Sequence, residues 1–407
     1  MRLFRELRLP FGRLACVTRP CPSEEDFHGH CHPEITEAAL VQIGKGSIFG
    51  APCEIQYRHA EHLCERIPSL QYVRYCNSGT EASLFALRAA RAFTGKDVVM
   101  KMDGGYHGTH DVAVVNGVAD TSTHRQPRKQ VPRGVSACTG YGVLVVPFND
   151  LEVTKDIIEE NISQLAAIIV EPVMGAAGLI NPLPQYLKGL RELANRYQLV
   201  LIFDEIITFR LDWKGIQGRE RVTPDITTLG KLIGGGFPVG AFGGRKEIMD
   251  VFNPGHSDAV THGGTFNGHN VALAAGLVGL EMLNQAAISR INALGNQMRA
   301  GYRNALEKYG VKGQVTGQGS LLGLHWGSNV PITARDSGLV SNMAGDLPKL
   351  FHLQMMNSGI YSAPRGMYVI STPMTELEIK ASIEAFEQTL ELLKPYIASE
   401  LPNLLVS

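Results

Sequence analysis

LVLIFDEIITFR (Leu199–Arg210) and, after a short polar connection, TPDITTLGKLIGGGFPVGAFGGR (Thr223–Arg245) decide how this chain folds. The run Leu199–Phe203 is apolar, short and rich in branched side chains, as a buried strand should be. Asp204 and Glu205 follow where that strand ends. In open α/β sheets ligands sit just beyond the carboxyl ends of strands, so acids there are placed for a site. A second apolar stretch ends at Lys231, between apolar residues and a run of glycines. A lysine in that position is either a surface charge at a loop edge or a functional amine.

The functional reading pairs Asp204 with Lys231. Pyridoxal phosphate needs a lysine to form a Schiff base with its aldehyde, and an acid beside the ring nitrogen to keep the ring an electron sink. An apolar setting lowers a lysine pKa and makes it the better nucleophile. FDEIITFR, TPDITTLGK and GGGFPVGAFGGR resemble the class III (subgroup II) aminotransferases, fold-type I enzymes that use pyridoxal phosphate. The likeness is to the branch of glutamate-1-semialdehyde aminomutase and the β-amino acid aminotransferases, and it runs from about His28 to about Leu390. It implies an α/β fold-type I transferase, with a mostly parallel central sheet in a large domain and a smaller α+β domain. It also implies Lys231 and Asp204 as the catalytic pair, Ile206 against the cofactor, and a homodimer.

Composition agrees with a globular enzyme. The 407 residues are 44% hydrophobic with a formal charge of -1, which offers no basic surface for nucleic acid. No apolar run approaches the roughly 18 residues of a membrane span. Seven cysteines (16, 21, 31, 53, 64, 76 and 138) lack metal-type spacing, and no metal is expected. An odd count fits reduced thiols, as expected of a cytoplasmic enzyme. Residues 46–284 are expected to form the large domain, and 1–45 with 285–407 the small one. The first 25 or so residues lack the glycine-rich turn that family members place there.

YVRYCNSGTEA (Tyr72–Ala82) reads as a short strand, a small-residue turn and a helix start. Such a layout is either an anion site, with free N–H groups and the Ser78 and Thr80 hydroxyls as donors, or a capping box from Ser78 to Glu81. The resemblance assigns Ser78, Gly79 and Thr80 to the cofactor phosphate. Val98–Met102 is another strand, running into Asp103-Gly104-Gly105-Tyr106-His107. By resemblance Tyr106 lies flat on the cofactor ring; His107 is a neighbour of the site or a structural donor. Glu171, at the end of the strand Leu165–Val170, lines the pocket by the same resemblance. Thr265 resembles the threonine that reaches the cofactor phosphate of the neighbouring subunit.

Other segments are read from pattern. Asn181–Gln198 is a helix, and Gly117–Gly142 is a long polar run without secondary structure, the kind that covers an active site. Its Arg125, Arg128, Lys129 and Arg133 either meet an acidic substrate or are solvated. The glycines after Lys231 continue through Gly244 as one lysine loop. No nucleotide-binding fingerprint stands in register, which excludes a Rossmann-type oxidoreductase.

Ser362–Ser371 (SAPRGMYVIS) separates the family's branches. Aminomutases carry an acid in this segment; here Arg365-Gly366 takes its place, as in the β-amino acid aminotransferases. A guanidinium there grips a substrate carboxylate, or else is a solvated residue in a strand-edge turn. The expected activity is transfer of an amino group between a carboxylate-bearing amine, such as a β-amino acid, and a keto acid acceptor. The alternatives are glutamate-1-semialdehyde 2,1-aminomutase and, in another class, a non-catalytic protein that binds pyridoxal phosphate.

Overall fold

Leu165–Val170 is buried along its whole length, as are Val98–Met102, Val200–Asp204 and Ile226–Gly230. Strands buried on both faces need cover on both faces, and helices between successive parallel strands supply it. The computed structural model describes residues 27–117 and 127–406. Its main sheet has seven strands: β1 (Tyr72–Cys76), β2 (Val98–Met102), β3 (Val143–Val146), β4 (Leu165–Val170), β5 (Val200–Asp204), β6 (Ile226–Gly230) and β7 (Gly240–Gly244). They lie in the order β1-β7-β6-β5-β4-β2-β3. Only β7 runs antiparallel to its neighbours, so the mostly parallel α/β sheet expected from the sequence is present.

β7 corrects one expectation, since Gly240–Gly244 belongs to the sheet and not to the lysine loop. Its glycines are there for close approach. A Cβ at Gly240 would sit 2.1 Å from the Ser78 carbonyl oxygen, and one at Gly243 would sit 2.2 Å from that of Tyr72.

The helices that position the site are α1 (Pro33–Lys45), α2 (Glu54–Arg66), α3 (Gly79–Thr94), α4 (Leu151–Asn161), α5 (Tyr186–Tyr197) and α6 (Asn270–Met282). α5 starts later than the sequence pattern implies. Pro182 and Pro184 remove N–H donors and disfavour helical backbone before them, and the side-chain Nδ2 of Asn181 donates to Gly317 O at 3.0 Å. After α7 (Gln285–Tyr309) the chain forms a three-stranded antiparallel sheet of β8 (Gly313–Thr316), β9 (Leu321–Trp326) and β10 (Met367–Val369). α8 (Ala334–Met343), α9 (Leu347–Asn357) and α10 (Glu376–Glu400) accompany it. Tyr302 of α7 stacks on Phe386 of α10 at 3.9 Å, which ties the two longest helices together.

The described part of the polar run 117–142 is more ordered than expected. Asn116–Gly117 pairs antiparallel with Lys129–Gln130, and Ala137–Gly142 forms a 3-10 turn. Lys129 Nζ donates to the carbonyls of Gly140 and Val143, so its charge holds the segment together. Arg125 and the first 26 residues, Cys16 and Cys21 included, lie outside the described residues. Among the described residues no single helix is long and apolar enough to cross a membrane.

Candidate active site

β5 and β6 end side by side at the carboxyl edge of the sheet, and deliver Asp204 and Lys231 there. Lys231 is the first residue of a 3-10 turn and has φ +50°, in the left-handed region that an L-residue adopts at a cost on the order of 1–3 kcal/mol. A non-glycine held there is a backbone set by its surroundings. Burial, with the nearby positive charge of Arg365 adding to it, lowers the Lys231 pKa to about 8. The amine is therefore a free base at mildly alkaline pH, unlike an ordinary lysine.

Lys231, Asp204, Ile206, Glu171, Tyr106 and the Ser78-Gly79-Thr80 turn all line one cavity of about 370 Å³. Residues scattered over the sequence thus converge, as the motif reading requires. The turn serves two purposes. Ser78 Oγ accepts from Glu81 N at 3.2 Å and caps α3, while the Glu81 carboxylate accepts from Asn77 N at 2.8 Å. The amides of Gly79 and Thr80, in the first turn, have no intrahelical acceptor and lie at the cavity wall. A Cβ at Gly79 would stand 2.6 Å from Ile206 Cδ1, so only glycine lets Ile206 pack against the turn.

The acid end is built around Asp204. His107 Nδ1 lies 2.8 Å from Asp204 Oδ2, with His107 1% and Asp204 3% exposed. A carboxylate accepts, so the imidazole N–H donates and orients it. Burial lowers the His107 pKa even against the pull of Asp204. Burial, then the Asp204 charge, raises Glu171 to about 8; its carboxyl accepts from Tyr106 N at 2.9 Å and Gly175 N at 3.1 Å. Glu171 thus fixes the backbone that presents Tyr106, whose ring is 54% exposed at the cavity.

Glu205, paired with Asp204 in the sequence reading, is not part of this cavity. It is fully buried and accepts from Ile216 N, Gln217 N, Gln217 Nε2 and Thr208 Oγ1, which makes it a structural anchor. Arg365 lines a neighbouring cavity of about 430 Å³, with Gly104, Ala177, Arg335, Trp326 and Phe351. Its charge still reaches Lys231. Thr265 is exposed and lines neither cavity of its own chain. Motif reading missed Asn77, Gly108, Ile207 and Phe237 as lining residues, although each adjoins a residue or glycine run it singled out.

The residues fit pyridoxal phosphate. Helix amides suit a phosphate, an oriented carboxylate suits a protonated ring nitrogen, and an amine lining the same cavity suits an aldehyde. The family profile described as aminotransferase class-III matches residues 26–390, and the chain belongs to that family. Glutamate-1-semialdehyde 2,1-aminomutase 2 of Lysinibacillus sphaericus (strain C3-41) is 39% identical over 367 residues, which cover 88% of this chain and 83% of the relative. The crystal structure of an omega-transaminase from Sphaerobacter thermophilus superposes with a TM-score of 0.86 at 40% identity, covering 90% of this chain and 85% of that one. A β-phenylalanine aminotransferase from Variovorax paradoxus gives 0.82 at 33% identity, covering 91% of this chain and 81% of that one. The branch that the sequence resembles is therefore the branch in which its relatives lie.

Proposed function

We propose that this class-III aminotransferase uses pyridoxal phosphate to move an amino group from a carboxylate-bearing amine, of the β-amino acid kind, to a keto acid. The observation that carries this reading is the single cavity that holds Lys231, Asp204 and the first turn of α3 together. When bound, pyridoxal phosphate supplies an aldehyde for amines and an electron-withdrawing ring. Lys231 Nζ, its pKa lowered by burial, would take the proton from the amine-bearing carbon of the substrate and hold it for delivery to the former aldehyde carbon. Asp204, held by His107, is the charge that keeps a ring nitrogen protonated. The amides of Gly79 and Thr80, with the Ser78 and Thr80 hydroxyls, bind phosphate, and Tyr106 covers the ring face.

Arg365 is assigned to the substrate carboxylate, because it adjoins the site from the small-domain side and its charge acts on Lys231. The same proposal takes residues 46–284 as a large unit and 1–45 with 285–407 as a small one. The aminomutase is the second reading, favoured by the 39% identical relative. The arginine where that branch carries an acid speaks for the first.

A cytoplasmic homodimer completes the proposal, with Thr265 serving the neighbouring subunit. Thr265 is exposed, as are Phe49 and Phe266. The segments that bear them are joined by Asn270 N to Ser47 O at 3.1 Å and Gln56 Nε2 to Gly268 O at 2.8 Å. Together they make one partly apolar face for a second copy.

The test compares kcat/KM for 3-amino-3-phenylpropanoate with that for 1-phenylethylamine, which lacks the carboxylate. The wild type should prefer the amino acid and Arg365→Ala should lose the preference. Equal loss on both substrates would remove Arg365 from the carboxylate site.

A further inference from the structure

His59 is completely buried in α2, and both of its ring nitrogens are engaged. Nε2 lies 2.8 Å from Ile233 O, and Nδ1 lies 2.8 Å from the Tyr75 hydroxyl. A carbonyl only accepts, so Nε2 carries the proton and Nδ1 takes the hydrogen of Tyr75. Burial lowers the His59 pKa to about 4, so the ring stays neutral and this tautomer persists through the neutral and alkaline range.

The two partners belong to the two segments that lead to and from the active site. Ile233 is in the 3-10 turn that begins at Lys231, and Tyr75 is in β1, just before the Asn77–Thr80 turn. The lysine turn starts from a left-handed Lys231 at φ +50° and is closed by Gly235 at φ +56°. Nothing in Lys231 itself favours that backbone, so outside contacts must hold it. α6 packs on the same carbonyl: a Cβ at Gly276 would sit 2.0 Å from Ile233 O and 3.1 Å from His59 Nε2. The glycine leaves room for the hydrogen bond.

We infer that His59 is a positioning residue, whose Nε2–H holds Ile233 O and thereby fixes the strained turn that aims Lys231 into the cavity. The Tyr75 hydroxyl sets the tautomer that makes this donation possible. The inference rests on the proposed role of Lys231 as the reacting amine. It adds a residue that touches neither substrate nor cofactor and acts through the backbone two residues beyond that lysine.

The experiment uses the full chain loaded with pyridoxal phosphate, and compares wild type with His59→Leu, His59→Gln and His59→Asn. A glutamine amide N–H reaches the place of Nε2, whereas that of asparagine stops at the place of Nδ1. Four quantities are read: kcat, KM, the pH midpoint of the visible band of the bound cofactor, and the Kd for pyridoxamine phosphate. Pyridoxamine phosphate needs the α3 turn and makes no bond to Lys231. His59→Leu should lower kcat on the order of tenfold to a hundredfold, as misaimed reacting groups do. It should also move the pH midpoint, while the Kd for pyridoxamine phosphate stays that of the wild type. His59→Gln should restore both kcat and midpoint, and His59→Asn should not.

Wild-type kcat and midpoint in His59→Leu would overturn the inference. Equal impairment of the Leu and Gln variants would overturn it too, by showing that ring packing and not the donor matters. Should His59→Leu fail to fold, the Gln and Asn pair decides in the same way. A wild-type protein with no visible band on addition of pyridoxal phosphate would instead sink the proposed function, an outcome distinct from either.

Discussion

His107 Nδ1 donates to Asp204 Oδ2 over 2.8 Å at a point where neither side chain meets solvent. The bond joins the loop after β2 to the end of β5, and it fixes which way the carboxylate faces. His107→Leu removes the donor and leaves a buried carboxylate short of a partner. A hydrogen bond to a charged group contributes about 1.5–3 kcal/mol, so kcat should fall about tenfold to a hundredfold. His107→Asn, which keeps an N–H near the place of Nδ1, should recover part of the loss. Steady-state kinetics of the two variants checks this, and an unchanged kcat in His107→Leu would leave the imidazole a packing residue only.

The amine of Lys231 has a pKa lowered to about 8, by burial first and by Arg365 second. It is charged below that pH and neutral above, and only the neutral amine is a nucleophile. Uptake of pyridoxal phosphate by the cofactor-free protein should therefore speed up as the pH rises and level off above about 8. Arg365→Ala withdraws a cation that lowers this pKa, so its midpoint should move upward. Stopped-flow uptake over a pH series measures both, and a midpoint that moves down would contradict the electrostatic account.

Gly240→Ala places a methyl group 2.1 Å from the Ser78 carbonyl oxygen. Overpacking of this kind costs about 1–3 kcal/mol, and here the atom that must yield belongs to the α3 turn. Denaturant unfolding should show the loss, together with weaker binding of pyridoxal phosphate. Gly44→Ala in α1, with nothing within 4 Å of the added carbon, should cost no stability and leave cofactor binding unchanged, and serves as the control.

Thr265 stands exposed and away from the cavity of its own chain, which makes its proposed role in the neighbouring subunit open to complementation. Thr265→Ala and Lys231→Ala chains, mixed into hybrid dimers, should regain wild-type cofactor affinity at half of the sites. The recovered site takes its lysine from one chain and its threonine from the other. Absence of any recovery in confirmed hybrids would place Thr265 in its own chain's site or in none.

The sequence made the central strands legible because β4, and β5 up to Phe203, are unbroken apolar runs that no surface element would carry. Asp204, Lys231 and Ser78–Thr80 were legible because each stands at a strand end or helix start. The fold then gathers such ends along one edge of the sheet. Glu205 was not separable from Asp204 by pattern. Neighbouring side chains at a strand end point to opposite sides, and only the structure shows which one meets the cavity. β7 was hidden by its glycines, which read as a loop until the backbone atoms packed against them are seen. The tie between His59 and Ile233 crosses from α2 to the lysine turn and has no local signature at all.

The most direct measurement is a half-reaction. Protein loaded with pyridoxal phosphate is mixed with 3-amino-3-phenylpropanoate in the absence of any keto acid, and the cofactor's visible band is followed while the organic product is identified. The account predicts that the band bleaches with release of one equivalent of the matching β-keto acid, and that a keto acid added afterwards restores it. A band unmoved by the β-amino acid, in a protein that converts glutamate-1-semialdehyde to 5-aminolevulinate, would contradict it and establish the aminomutase.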